Sequence, residues 1–383
     1  IIHNFYQHPG GEDAVFRQEV EELSKKHQVE VYSPQNKKGL QGIRQFLSYP
    51  MNISVAREII AATSRFKPDI IHIHNLHYAI GPWIIRKIAT LGIPIVMTLH
   101  NYRLLCPSAS LFHRGEIFTQ SLKENFPWTA VRKRVLDDSL PKTFLTAFTY
   151  WLHRKIGTWD KVSLFIVLSD FAKQNFRKST FTNGNVDKFR VRPNSIASRQ
   201  LDLPRQNKFV YIGRLAEEKG ILPFLRAIAP LQITIEIYGS GPQQAAVKQL
   251  EKEYSHIHYR GFRSSNELTQ AIAQADALVV PSICFEGMPM AILEAFAQST
   301  PVLASRIGIL EEMVLPLYTG LLFDPFDQRS IQQTLQKWLT LDDQEKAQIG
   351  TNCKTEYQTN YRLDKNMNKL LAIYEEAIAA VKN

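Results

Sequence analysis

Two glutamates, Glu286 and Glu294, bracket the run Gly287-Met288-Pro289-Met290-Ala291-Ile292-Leu293. Pro289 suits the first position of a helix, where its missing N–H would be unpaired anyway, and the Met-Ala-Ile-Leu-Glu-Ala residues that follow favour helix. The spacing therefore predicts a helix starting between the two acids, with Glu286 in the loop before it and Glu294 about one and a half turns inside. Such a helix end offers backbone N–H groups and a partial positive charge, which suit a phosphate. The carboxylates would repel the phosphate, so sugar hydroxyls are their fitting partners. The spacing alone serves a solvated helix with two unrelated surface glutamates equally well.

A second anion-binding feature upstream weighs for a ligand. Phe209–Ile212 reads as a buried strand and leads into Gly213-Arg214-Leu215-Ala216-Glu217-Glu218-Lys219-Gly220. Glycine at a strand end permits a tight turn, Arg214 can grip phosphate oxygens in a fork, and Lys219 adds a point charge. Together they suit a diphosphate. Residues 233–238 form the next strand, ending in Gly239-Ser240-Gly241-Pro242; 256–260 lead into Gly261-Phe262-Arg263; 277–280 lead through Pro281-Ser282 to Glu286. Each repeat is strand, turn, helix, the grammar of a doubly wound parallel sheet, whose ligands bind at the carboxyl ends of the strands.

The first half carries a comparable pattern. Residues 1–6 read as a strand fragment running into Gln7-His8-Pro9-Gly10-Gly11-Glu12-Asp13, with a helix from about 14 to 26. Gly10 and Gly11 allow close backbone approach, although a plain turn would also use them. Two later strand ends carry histidines: His72 and His74 within 69–75, and His100 within 93–101. His72 and His74 project to one side of a strand, which invites zinc, but no Cys or acid at a recognised metal spacing accompanies them. The expectation is no metal, with His72 and His74 satisfied at a strand end. Residues 166–173 and 191–196 read as the last strands and turns before a crossover.

This ordered set resembles the retaining glycosyltransferases of family 4, also called glycosyltransferase group 1. The resemblance rests on Gly213-Arg214-Leu215 with Glu218-Lys219-Gly220, Tyr238-Gly239-Ser240-Gly241-Pro242, Pro281-Ser282, the Glu286/Glu294 pair, Pro301-Val302 and Thr319-Gly320-Leu321-Leu322. These span roughly residues 209 to 325, and as a set they are highly specific. The resemblance implies an α/β, two-domain GT-B fold, in which two Rossmann-like doubly wound domains face an interdomain cleft. The N-terminal, acceptor-binding domain would cover 1–195 plus a last helix at about 362–383 that crosses back to it; the nucleotide-sugar domain would cover 196–361.

It also implies roles. Arg214 and Lys219 would hold the donor diphosphate, Glu294 the ribose hydroxyls, and Glu286 the hydroxyls of the transferred sugar. Backbone groups at Phe262 and Arg263 would meet the nucleobase. Gly10, Gly11, Gly213, Gly239, Gly287, Met288, Pro289 and Met290 would lie along the donor, and His100 would contact the sugar. His100, Glu286, Arg214 and Lys219 form the implied catalytic set. No cofactor is expected, the nucleotide-sugar being a co-substrate, and no metal, since Arg214, Lys219 and a helix end can neutralise the diphosphate without an Asp-x-Asp pair. The implied reaction moves a hexosyl group, from a UDP-sugar in preference to a GDP-sugar, to a hydroxyl of a glycan or lipid-linked acceptor with retention, in cell-surface polysaccharide or glycolipid synthesis. A nucleotide-sugar epimerase or hydrolase on the same scaffold, or a non-catalytic nucleotide-sugar-binding protein, would use similar residues. The chain departs from the family pattern at Gly308-Ile309, where Gly-Gly is usual, at Ser299-Thr300 before Pro301, at Asn194-Ser195, and at 115–121, which lacks the Cys pair that often follows a segment like Asn101 to Pro107. A bulky Ile309 is expected to change how closely its loop approaches the donor.

Composition sets bounds consistent with this. A chain of 383 residues exceeds what one core usually supports. Three widely spaced cysteines, Cys106, Cys284 and Cys353, point to a reducing compartment without a disulfide framework. No secretory leader is read, and the longest apolar stretch outside strands, 144–152, is too short to span a bilayer, so a cytoplasmic location is expected. The net charge of +10 is confined to the first half, where 27 Lys and Arg face 15 Asp and Glu up to residue 195. Between 123 and 161 basic residues interleave with Phe126, Trp128, Phe144, Phe148, Tyr150, Trp151 and Trp159. Such a segment suits peripheral docking on an anionic bilayer face, or a helical pair covering the sheet with a solvated basic side. No nucleic-acid-binding module is recognised, and none is expected as a partner.

Overall fold

Short runs such as Phe209–Ile212, Ala277–Val280 and Val302–Ser305 are apolar on both faces, which fits strands buried between helices rather than strands with one wet side. In the computed structural model, which describes residues 1–5 and 10–382, they lie side by side inside one parallel sheet. The chain divides into two compact units: residues 1–111, 118–194 and 364–383, and residues 112–117 and 195–363.

The first unit holds a five-stranded parallel sheet in the order β1-β2-β3-β6-β7, built from β1 (Ile2–His3), β2 (Ile71–Asn75), β3 (Ile95–Leu99), β6 (Leu164–Val167) and β7 (Phe189–Val191). Helix α1 (Gly11–Ser24), helix α2 (Gly39–Leu47) and the last helix, Leu363–Lys382, belong to this half of the structure apart from Leu363 itself. Helix α1 starts three residues earlier than its composition suggests, because Gly10 serves as its cap and the Asp13 carboxylate accepts from the Gly10 N–H at 3.0 Å. The Tyr6-Gln7-His8-Pro9 part of the glycine loop lies outside the described residues.

The second unit holds a six-stranded parallel sheet from β8 (Phe209–Ile212), β9 (Ile235–Tyr238), β10 (Ile257–Gly261), β11 (Ala277–Val280), β12 (Val302–Ser305) and β13 (Gly320–Phe323). Their order is β10-β9-β8-β11-β12-β13. Counted from β8, this is 3-2-1-4-5-6, the Rossmann order, and the direction of winding reverses between β8 and β11. The antiparallel hairpin β4 (Phe112–His113) and β5 (Glu116–Ile117) is also part of this unit, with Phe112 packed on Ile283 and Cys284. Among the described residues no helix is long and apolar enough to cross a membrane. Cys106, Cys284 and Cys353 are all buried and free.

Candidate functional site

At the point where the strand order reverses, the loops leaving β8 and β11 run side by side. Gly220 makes this possible: its φ of +64° lies in the left-handed region, and a β-carbon there would run into the carbonyl oxygen of Pro281. The Ile283 N–H donates to the Glu218 carbonyl at 2.9 Å, so backbone joins the loops. That stitching brings Lys219 Nζ to 2.6 and 2.8 Å from the two carboxylate oxygens of Glu286, while Ser282 Oγ donates to Glu286 Oε1 at 2.5 Å. Burial pushes the Glu286 carboxyl upward, but Lys219 and Ser282 outweigh it and hold the group below its usual range. Burial likewise lowers Lys219, and the facing carboxylate reverses the sign and raises it. The two form an ion pair where the loops leaving β8 and β11 meet.

The other residues singled out in the second unit lie on the same and the neighbouring strand exits and on the helix after Glu286. Arg214 sits on the same β8 loop, bonded to Glu218, with its side chain 62% exposed. Helix Met290–Ala297 begins one residue later than Pro289, which is its cap with an extended ψ of 114°. Glu294 lies one turn inside it, and among the described residues no side chain is paired with it. Burial alone pushes its carboxyl up to about 7. The glycine ends of neighbouring strands are hooked together: Gly213 N–H donates to Tyr238 O at 3.1 Å and Gly239 N–H to Gly261 O at 2.9 Å. Beyond β10, Phe262 is 79% exposed, and Arg263 lies beside it, 3.7 Å from Glu267. Gly287, Met288 and Met290 are half-buried between Glu286 and Glu294. Ile309 is fully buried and turned into the hydrophobic core, its loop carried round by Gly308 at φ +59°.

In the first unit, His100 follows β3 and is buried, with its Nε2 3.0 Å from Nδ1 of His74. His74 and His72 do share one side of β2, with ring centroids 4.1 Å apart. The acid that sequence spacing does not show comes from α1: Glu19 places Oε2 3.3 Å from His74 Nε2, and its Oε1 accepts from Arg192 Nη1 at 2.6 Å. Glu19, His72 and His74 thus offer ligand atoms within 4.8 Å of one another. Both nitrogens of His72 are engaged, however, Nε2 with Thr98 Oγ1 and Nδ1 with Tyr374 OH, each at 2.7 Å. A neutral imidazole so occupied has no lone pair to give a cation. Gly10 and Gly11 lie at the start of α1.

The model for "Glycosyl transferases group 1" matches residues 195–355, and that for "Glycosyltransferase Family 4" matches residues 9–198. D-inositol 3-phosphate glycosyltransferase of Corynebacterium efficiens is 30% identical over 329 residues, 82% of this chain and 72% of the relative. The chain belongs to the group 1 glycosyltransferases. Solved structures agree on the GT-B fold of this glycosyltransferase. Sucrose-phosphate synthase from Thermosynechococcus elongatus superposes with a TM-score of 0.70 at 18% identity, covering 99% of this chain and 96% of that one. Anabaena HepE in complex with UDP superposes at 0.65 and 17% identity, covering 98% and 99%. Other curated relatives match over a part only, the chain spanning 45–51% of their length.

One feature of this glycosyltransferase escapes the sequence reading. Helix α2 buries none of its residues and leaves Leu40 86%, Ile43 57% and Leu47 65% exposed on one face. The signal was present: apolar residues at i, i+3 and i+7 between Lys37, Lys38, Arg44 and Arg57, with no acid from 31 to 57.

Proposed function

We propose that the protein transfers a hexosyl group from a nucleoside diphosphate donor to an acceptor hydroxyl with retention, and that a UDP-sugar is the donor. The observation that carries this reading is the Lys219–Glu286 pair at the reversal point of the second sheet. There a diphosphate can take over the ammonium while the released carboxylate accepts from sugar hydroxyls. Arg214 joins Lys219 on the diphosphate, Glu294 holds the ribose, and the exposed Phe262 with the Arg263 backbone meets the base. Binding of UDP and UDP-glucose by the HepE neighbour supports the choice of nucleotide.

Glu286, held by two partners on its carboxylate, fits a charge-stabilising role better than that of a nucleophile. The C1–O bond to the leaving phosphate breaks as the acceptor oxygen bonds C1 on the same face, and the acceptor proton passes to that phosphate oxygen. Arg214 and Lys219 balance the charge on the leaving group, so no metal or other cofactor is needed. A thermal-shift panel of UDP, GDP, ADP and their sugars should show the largest rise with UDP compounds. The anomer of the product should match that of the donor by NMR. Inversion would remove the retaining step, rapid release of free sugar without acceptor would indicate a hydrolase, and no shift with any nucleotide would remove the reading.

We also propose that the acceptor is a glycan or lipid-linked saccharide used in cell-surface polysaccharide or glycolipid synthesis, met by a cytoplasmic enzyme at the inner face of a membrane. The support is apolar surface flanked by cations. Trp128, Leu140 and Phe144 are exposed at the helices Trp128–Lys133 and Leu140–Lys155, and α2 adds Leu40, Ile43 and Leu47. The turn Tyr49–Met51 joins the two regions, with Pro50 O accepting from His153 at 2.7 Å. Sedimentation with vesicles should show binding to anionic lipid that fades as salt rises. Leu40→Ser with Leu47→Ser should weaken it about tenfold or more. Equal binding to neutral vesicles would discard the electrostatic part.

A further inference from the structure

Glu19 is a buried carboxylate, and a carboxylate only accepts hydrogen bonds. One of its oxygens takes Arg192; the other, Oε2, lies 3.3 Å from His74 Nε2 in a charge contact whose angle makes no full hydrogen bond. A ring nitrogen bearing a lone pair would be repelled there, so Nε2 of His74 carries the hydrogen. His74 being neutral, its Nδ1 is then an acceptor, and the 3.0 Å contact with His100 must be a donation from His100 Nε2. His100 is neutral too, so its remaining nitrogen, Nδ1, has a lone pair; that atom is buried and has no hydrogen-bond partner among the described residues. His100 is only 8% exposed and its ring lies stacked on His74 at 5.2 Å, so it cannot turn over without breaking the contact.

We infer that Glu19, acting through His74, fixes His100 as the tautomer with hydrogen on Nε2, so that His100 meets its ligand as a hydrogen-bond acceptor for a sugar hydroxyl. This rests on the proposed donor reading and on the contact between His100 and the transferred sugar that the family resemblance implies. Glu19 and His74 are positioning residues; neither touches the substrate. An unpaired buried acceptor is costly until something donates to it, which favours a sugar bearing a hydroxyl there over its deoxy analogue.

The same chain of contacts predicts an inversion. In Glu19→Gln the amide oxygen still accepts from Arg192, and the amide NH2 now faces His74 Nε2. That nitrogen becomes the acceptor, His74 Nδ1 carries the hydrogen and donates to His100, and the His100 hydrogen moves to Nδ1. Long-range 1H–15N correlation on the full chain labelled at histidine, with His100 assigned from the spectrum of His100→Asn, reads this directly. The wild type should show His100 protonated at Nε2 alone, and Glu19→Gln should show it protonated at Nδ1. The variant should lose about tenfold in kcat/KM with UDP-glucose while its affinity for UDP alone is unchanged. A wild-type His100 protonated at Nδ1 or at both nitrogens overturns the assignment, even if the variant fails to fold, and so does an unchanged His100 signal in a folded variant. Correct tautomers without turnover of any nucleotide-sugar in either protein would leave the relay standing and overturn the transferase reading instead.

Discussion

Replacing Glu294 by Gln should make the protein more stable at about pH 8 and poorer at holding a nucleotide. The Glu294 carboxyl is raised from an ordinary 4.5 to about 7 by burial, with no cation among the described residues to compensate. The folded state therefore binds this proton more tightly than the unfolded chain. Stability contributed by that proton is intact below about 4.5, is lost as pH rises toward 7, and stays lost above it. Gln is neutral throughout and avoids the cost, worth up to about 3 kcal/mol for a shift of this size. A rise in Tm of several degrees at about pH 8, vanishing near pH 4.5, is the expected calorimetric result. On the proposed donor pose the same substitution removes a charged acceptor from the ribose hydroxyls, and affinity for UDP should fall about tenfold. Wild-type affinity should itself weaken as pH is lowered through 7, whereas that of the variant should stay flat. An unchanged melting temperature would contradict the burial of an ionised Glu294, and unchanged affinity would contradict its assignment to the ribose.

Lys219→Met should fail in two separable ways. Glu286 would keep its burial and lose its cation, so its carboxyl would swing from below its usual range to above it, at a cost of about 2–3 kcal/mol. Turnover should fall by about a thousandfold, because in the proposed reaction the leaving diphosphate loses a cation at the reacting end. The double variant Lys219→Met with Glu286→Gln removes both charges and should recover most of the stability, with a coupling of about 1–3 kcal/mol between the sites. It should recover none of the turnover. Denaturant titration of the four proteins together with initial rates tests both halves. If turnover returned with stability, Lys219 would be a strut for Glu286 rather than a donor ligand.

The strands of the second sheet and their glycine-rich exits were readable in sequence because fully buried parallel strands are local signals, runs of Val, Ile and Leu closed by Gly. That Lys219 and Glu286 face each other was not, since it requires β8 and β11 to be neighbours, and strand order is a property of the whole sheet. The helix between the two acids was placed within a residue; its true start is Met290, because Pro289 adopts the extended backbone of a cap. In the first unit, the histidines on β2 and after β3 stand out, but the acid that orders them, Glu19, sits more than fifty residues away on α1, and its counter-ion Arg192 lies further still. No spacing rule joins them. Helix α2 is hidden for a different reason: its pattern is visible in the sequence, but whether an apolar stripe meets a core or is left bare is decided only by packing.

The hairpin Phe112–Ile117 lies, by chain order, in the middle of the first unit and, by its neighbours, in the second. Its Phe112 covers Ile283 and Cys284, two residues from Glu286. The chain therefore passes between the two units four times, not once at the linker near residue 195. A fragment cloned from that linker onward would carry all six strands of the second sheet and still begin life with part of its own wall missing beside Glu286.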